Sequence, residues 1–169
     1  LVFSMIVPFQ MVMFTMSKMA NILHLDNPIG IIVIYIGFGC GMSTFMFAGF
    51  IKSIPLAMEE AAMIDGATRG RIFWNITLPM SKPIIIYTLL TSFTAPWVDY
   101  IFASVIMGDN YENYTVALGL FKMLEKEFIH NYYTQFAAGA VIVSIPIAIL
   151  FISTQKFYVG GVTGGSVKG

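Results

Sequence analysis

Ile29–Ile51 reads IGIIVIYIGFGCGMSTFMFAGFI, 23 consecutive positions without a charge. A helix crossing the ~30 Å hydrocarbon core of a bilayer needs about 20 predominantly apolar residues. This run supplies them, and it offers no polar face on which a soluble helix would meet water. Three more stretches share its character. Leu1 to Thr15 carries no charge and ends at Ser17-Lys18, Ile84 to Met107 is 24 residues with the single charge Asp99, and Phe136 to Gln155 is 20 residues with none. In lipid only helices and closed barrels satisfy their backbone groups, and these runs are continuous rather than alternating. The expected fold class is therefore all-α, a polytopic transmembrane helix bundle with spans at about 1–17, 29–51, 84–107 and 136–155.

Composition agrees. Of 169 residues, 11% are charged, against roughly 25% in an ordinary soluble domain, and nine basic groups balance nine acidic ones. That excludes nucleic-acid binding through a basic field. The one cysteine, Cys40, forms no internal disulfide and reads as a small packing residue. The chain begins at Leu1 inside an apolar run, which reads as the C-terminal part of a longer protein.

Sidedness follows from the distribution of lysine and arginine. Residues 52–83 and the tail 156–169 hold six: Lys52, Arg69, Arg71, Lys82, Lys156 and Lys168. The other two connections, Lys18–Pro28 and the 108–135 loop, hold three: Lys18, Lys122 and Lys126. The loop 52–83 and the tail are expected in the cytoplasm, and 108–135 outside. Within the spans, Gly37/Gly41 and Gly39/Ser43 are small-xxx-small pairs suited to close helix packing. Pro8, Pro96 and Pro146 are expected inside spans, where proline kinks a helix.

The loop 52–83 is the informative connection. Ser53-Ile54-Pro55 suits a helix start, Leu56 to Ile64 is rich in helix formers, and Gly66 is placed to end the helix. Thr68 suits the cap of a second short helix through Ile76, with Ile72, Phe73 and Ile76 as its stripe and Leu78-Pro79 as its stop. Such a pair lies along the membrane face or projects into a partner. Glu59 and Glu60 fit poorly against an anionic lipid surface, and the small Ala61 and Ala62 permit close approach.

Glu60-Ala61-Ala62, then Asp65-Gly66-Ala67, then Ile76-Thr77-Leu78-Pro79 resembles the EAA signature of binding-protein-dependent ABC importer permeases. Tyr114-Thr115-Val116-Ala117-Leu118-Gly119-Leu120, Phe136-Ala137-Ala138-Gly139 and Gly164-Gly165-Ser166-Val167-Lys168-Gly169 are similar to its carbohydrate branch. Within that branch they look most like the second permease of maltose/maltodextrin-type systems. One departure stands out: Pro96-Trp97-Val98-Asp99 occupies the place where that branch often has Trp-Asn-Asp/Glu.

The resemblance implies a MetI-like, six-span permease of the bacterial inner membrane, of which this chain holds four spans. It implies a second permease, two ATP-binding subunits and an extracytoplasmic sugar-binding protein as partners, in contact with membrane lipid. Glu59, Glu60, Ala61, Ala62, Asp65, Gly66, Ile76, Leu78 and Pro79 would couple to an ATPase, and the glycine-rich tail is similar to tails that reach toward it. The chain has no G-x-x-x-x-G-K-[ST] loop, so ATP and magnesium would be held by the partner ATPases, and no cofactor, metal or catalytic residue is expected here.

Asp99 is the one ionisable residue well inside a span, and its cost there turns it toward protein or water. Two readings stand: Trp97, Asp99 and Tyr100 line a sugar pathway, or Asp99 makes a hydrogen bond to a neighbouring helix. In the outer loop Val116, Leu120, Met123, Leu124 and Phe128 fall at helical spacing, predicting a short amphipathic helix over Thr115 to Phe128. It either receives the binding protein or caps the bundle. His24 and His130 stand alone, without metal spacing. The rival functions are a permease for a polyamine or amino acid, and a secondary transporter using Asp99 as an ion site.

Overall fold

The computed structural model describes residues 7–125 and 128–165, and among them every regular element is helical. Helix α1 (Phe9–Ile22) is followed by α2 (Pro28–Ile51) and the short α3 (Leu56–Ile64). An arm then runs as α4 (Arg69–Ile72), a π segment (Phe73–Thr77) and α5 (Leu78–Met80). Helices α6 (Lys82–Val98) and α7 (Ile101–Met107) are separated by a break, α8 (Val116–Lys122) lies in the 108–135 connection, and α9 (Ile129–Gly165) closes the order. Among the described residues two helices, Pro28–Ile51 and Ile129–Phe157, are long and apolar enough to cross a membrane; a third candidate is the arm 69–80 joined to α6 through a 64° bend. That differs from the four expected spans.

The differences have local causes. The first six residues of the expected span 1–17 lie outside the described residues. The described helix runs past Lys18 to Ile22, with Pro8 at its N-cap position rather than inside it. It ends where His24 adopts φ +54°. Leu25 N–H bonds to Ala20 C=O at 2.7 Å and His24 N–H to Asn21 C=O at 3.2 Å, a Schellman closure with histidine in the left-handed place. Asn27 then caps α2, its Oδ1 accepting from the amides of Ile29 at 3.1 Å and Gly30 at 2.9 Å, with Pro28 in the first turn. The backbone of Leu25 passes so close that a Cβ on Gly30 would stand 2.0 Å from the Leu25 carbonyl oxygen.

The expected span 84–107 is not one helix. It starts two residues early, at Lys82, and breaks at Asp99, whose backbone is extended. Pro96 has already removed an amide donor from the last turn, which weakens the helix just before the break. The expected 136–155 span is the centre of α9, which is 37 residues and so about 55 Å long at 1.5 Å per residue. Pro146 does lie inside it.

The buried centre sits where α1, α2, α7 and α8 meet: Met13, Ala20, Ile31, Ile34, Phe102, Ala103, Ile106, Met107 and Leu118. Phe102 is fully buried, with Phe9 edge-on at 4.9 Å and Tyr35 at 5.9 Å. The remaining apolar surface faces outward. Ile32, Val33, Ile36 and Phe45 on α2, and Val141, Ile142, Ile149 and Ile152 on α9, are all exposed. Gly37 and Gly39 likewise meet nothing within 4 Å, so their packing face has no partner helix among the described residues.

Candidate functional site

Helix α3 buries none of its nine residues. Leu56, Met58, Met63 and Ile64 are all exposed, Ile64 at 86%. Glu59 is half-buried and Glu60 exposed. The expected Ser53 cap is not used: Ser53 Oγ donates to the Phe50 carbonyl at 2.6 Å, closing α2 instead, and Pro55 takes the N-cap position of α3 without a side-chain bond. A serine beside a helix end has a choice of backbone partners, and the nearer carbonyl of the preceding helix wins.

The end of α3 is tightly built. Asp65 is its C-cap, Gly66 N–H bonds to Met63 C=O at 3.0 Å, and Ala67 N–H bonds to Ala62 C=O at 2.9 Å. This is a second Schellman closure, with Gly66 at φ +79°. A Cβ at Gly66 would meet no atom within 4 Å, so the demand for glycine comes from backbone conformation alone. Thr68 then caps the arm, its Oγ1 accepting from Arg71 N–H at 3.4 Å. Glu59, Glu60, Ala61, Ala62, Asp65 and Gly66 thus share one exposed helix and its closing turn.

Ile76, Leu78 and Pro79 lie elsewhere, on the arm. The expected stop at Leu78-Pro79 does not occur, and the helix continues to Met80. The reason is the π segment, in which Leu78 N–H reaches back five residues to Phe73 C=O. That wider turn relieves the clash a proline ring makes with the carbonyl four residues before it. The helix turns by 64° around Ser81 instead. Ser81 is 2% exposed and its Oγ donates to Thr77 C=O at 2.7 Å, while Pro79 and Pro83 flank it without amide donors. Thr77 and Ser81, not read as site residues, therefore form the elbow; the serine between two prolines was the signal for it.

The second candidate group is divided. Asp99 Oδ1 accepts from Phe102 N–H at 3.3 Å, and Oδ2 accepts from Ala103 N–H at 3.1 Å and from the Tyr35 hydroxyl at 2.5 Å. The carboxylate thus caps α7 and ties it to α2. This is the neighbouring-helix hydrogen bond of the two readings. Trp97 and Tyr100 point to a different place, an apolar cavity of about 660 Å³ between α6, α8 and α9 that Asp99 does not line. Trp97 donates through Nε1 to Val143 C=O at 3.3 Å and stacks on Phe93. Tyr100 stacks on Phe121 at 4.0 Å.

In the 108–135 connection, α8 ends at Lys122, shorter than the helix expected through Phe128. Thr115 caps it, accepting from Leu118 N–H, and Leu118 is the residue it buries. Lys122 pairs with Glu125 at 2.8 Å, and that hydrogen bond to a carboxylate raises its pKa above the ordinary lysine value. Gly139 packs close to Leu120 where α8 meets α9. The last four residues of the glycine-rich tail lie outside the described residues.

Residues 1–161 match the family described as "Binding-protein-dependent transport system inner membrane component". The galactooligosaccharides transport system permease protein GanQ of Bacillus subtilis is 42% identical over 139 residues, covering 82% of this chain and 48% of that protein. The maltodextrin transport system permease protein MalD of Streptococcus pneumoniae is 35% identical over 160 residues, 92% of this chain and 54% of that one. The maltose/maltodextrin transport system permease protein MalG of Escherichia coli is 36% identical over 141 residues, 83% of this chain and 46% of its own length. The chain spans about half the length of these curated relatives. No solved structure matches.

Proposed function

The chain belongs to the binding-protein-dependent transport system inner membrane component family, and from that premise we propose that it is part of the permease subunit of an ATP-driven carbohydrate importer. The relatives' names, which specify galactooligosaccharides and maltodextrins, favour an oligosaccharide over a polyamine or amino acid. On this reading the regions around α1, α2, α6–α7 and α9 are four spans in a bacterial cell membrane. The α3 loop faces the cytoplasm, a second permease completes the pathway, and separate subunits bind ATP and magnesium. A sugar-binding protein delivers solute from outside.

One observation carries the reading: α3 buries nothing of its own chain yet is closed by a fully bonded turn. A helix so defined and so bare suits a partner's cleft. Glu59 and Glu60 would meet polar or basic groups of an ATPase, Ala61 and Ala62 would allow close approach, and Gly66 would hold the turn. Ile76, Leu78 and Pro79 would connect that motion to α6 through the elbow. Closure of the ATPases on ATP would then bias the spans between inward- and outward-facing states. Trp97 and Tyr100 are the proposed pathway residues, since aromatic faces suit sugar rings. Asp99 supports them from behind, and its engagement by three donors argues against a secondary transporter's ion site.

The test is uptake of labelled maltodextrin by cells carrying the full-length permease with Glu60→Lys or Gly66→Pro, alongside co-purification of the ATPase. We expect uptake to fall about tenfold or more, as loss of a buried charge contact of 1.5–3 kcal/mol would give, with ATPase binding weakened. Undiminished uptake with intact ATPase binding would remove α3 from the coupling role.

A further inference from the structure

Two lysines gather at one ring where α6 begins and α9 leaves its apolar stretch. Lys82 Nζ stands 5.5 Å from the centroid of Phe157, and Lys156 Nζ stands 5.2 Å from the same centroid. Both lysines are exposed. Neither is paired with a carboxylate; among the described residues the one ion pair is Lys122–Glu125, in the outer connection. With both held this close to one centroid, the two ammonium groups are within about 11 Å of each other and repel, and an anionic group reaching both would offset that repulsion.

Depth says which anion. The uncharged stretch Phe136–Gln155 ends immediately before Lys156, and the apolar run of α6 opens at Ile84, just after Lys82-Pro83. Both ammonium groups therefore sit at the edge of the hydrocarbon, at the level of lipid phosphates, where lysine stems lie along apolar surface with the charge outward. The arm leaves α6 at 64° right beside Lys82, and its Trp74 is 65% exposed, as a tryptophan at headgroup level would be.

We infer that Lys82 and Lys156, arranged about Phe157, bind the phosphate of an anionic phospholipid headgroup. This rests on the membrane reading of α6 and α9 and not on transport, so failure of the uptake experiment would leave it standing. The protein is reconstituted in phosphatidylcholine vesicles containing spin-labelled phosphatidylglycerol or spin-labelled phosphatidylcholine, and the motionally restricted fraction of each is measured. Phosphatidylglycerol should be preferred several-fold, with each lysine contributing about fivefold at most.

The double variant Lys82→Gln/Lys156→Gln should bring the ratio near unity, while Lys122→Gln leaves it unchanged. An equal restricted phosphatidylcholine fraction in all variants verifies that each is inserted. The inference is overturned by no preference in the wild-type chain, by an unchanged ratio in the double variant, or by an equal loss on Arg69→Gln/Arg71→Gln, which would mark a diffuse surface potential. Competition by millimolar inorganic phosphate would overturn it too, by making the site one for the free ion.

Discussion

Gly30→Ala is expected to destabilise the protein by about 3–4 kcal/mol. The added methyl would stand 2.0 Å from the Leu25 carbonyl oxygen and 2.4 Å from its carbon, distances no non-bonded atoms sustain. Both are backbone atoms, so no rotamer change relieves the clash. Overpacking alone costs about 1–3 kcal/mol. Here the displaced segment also carries the Schellman closure of α1, and the Asn27 cap bonds directly to the Gly30 amide; losing a cap adds about 1 kcal/mol. At about 2–4 °C per kcal/mol for a chain of this size, the unfolding midpoint in mild detergent should fall by about 10 °C. Gly139→Ala meets only the mobile end of Leu120 and should cost less, and Gly37→Ala meets nothing. Equal midpoints for all three variants would show that the Leu25 approach is not a constraint.

Asp99→Ala is the second large effect, at about 2–3 kcal/mol. It removes the caps on the Phe102 and Ala103 amides, worth about 1 kcal/mol together. It also removes the acceptor for Tyr35, an interhelical bond worth about 0.6–1.7 kcal/mol if both helices lie in the membrane as proposed, and leaves that hydroxyl unpaired. Asp99→Asn should cost much less, about 0.5–1 kcal/mol, because asparagine caps as well as aspartate. Denaturation with increasing SDS in mixed micelles would measure both variants, with Tyr35→Phe completing a double-mutant cycle. The same pair decides a functional question. If Asp99 works by geometry, the asparagine variant retains most uptake and the alanine variant does not. A secondary transporter that needs the charge would lose uptake with either.

The long apolar runs were legible because lipid imposes one simple rule, continuous apolarity, and α2 and the centre of α9 obey it without help from tertiary contacts. The glycine closure at Gly66 was legible for another reason: capping chemistry is local to a few residues. The break at Asp99 was hidden because half of its cause lies in Tyr35, 64 residues away along the chain. From sequence Asp99 has two readings, a sugar pathway or a hydrogen bond to a neighbouring helix; what the sequence does not name is the phenol of α2 and the amide donors three and four residues ahead. Ser53 misled because two helix ends compete for it. Leu118 escaped the expected stripe of Val116, Leu120 and Leu124 because α8 has only about two turns. Which side of so short a helix is buried is set by what it lies against, here α6, α7 and α9.

The π segment at Phe73–Thr77 gives the spacing of the loop a geometric meaning. Each residue of an α-helix advances the chain by about 100° around the axis, and a π turn is in effect one extra residue accommodated without breaking the rod. The nine positions between Gly66 and Ile76 therefore include one for which a uniform α-helix has no place. Removing it would leave the arm nearly as long, but would restore the Pro79 ring clash and rotate the arm's first turn, and α3 with it, by more than a quarter revolution about the arm's own axis. Length in this loop acts as an angular setting, and a one-residue change would point an otherwise intact α3 in the wrong direction.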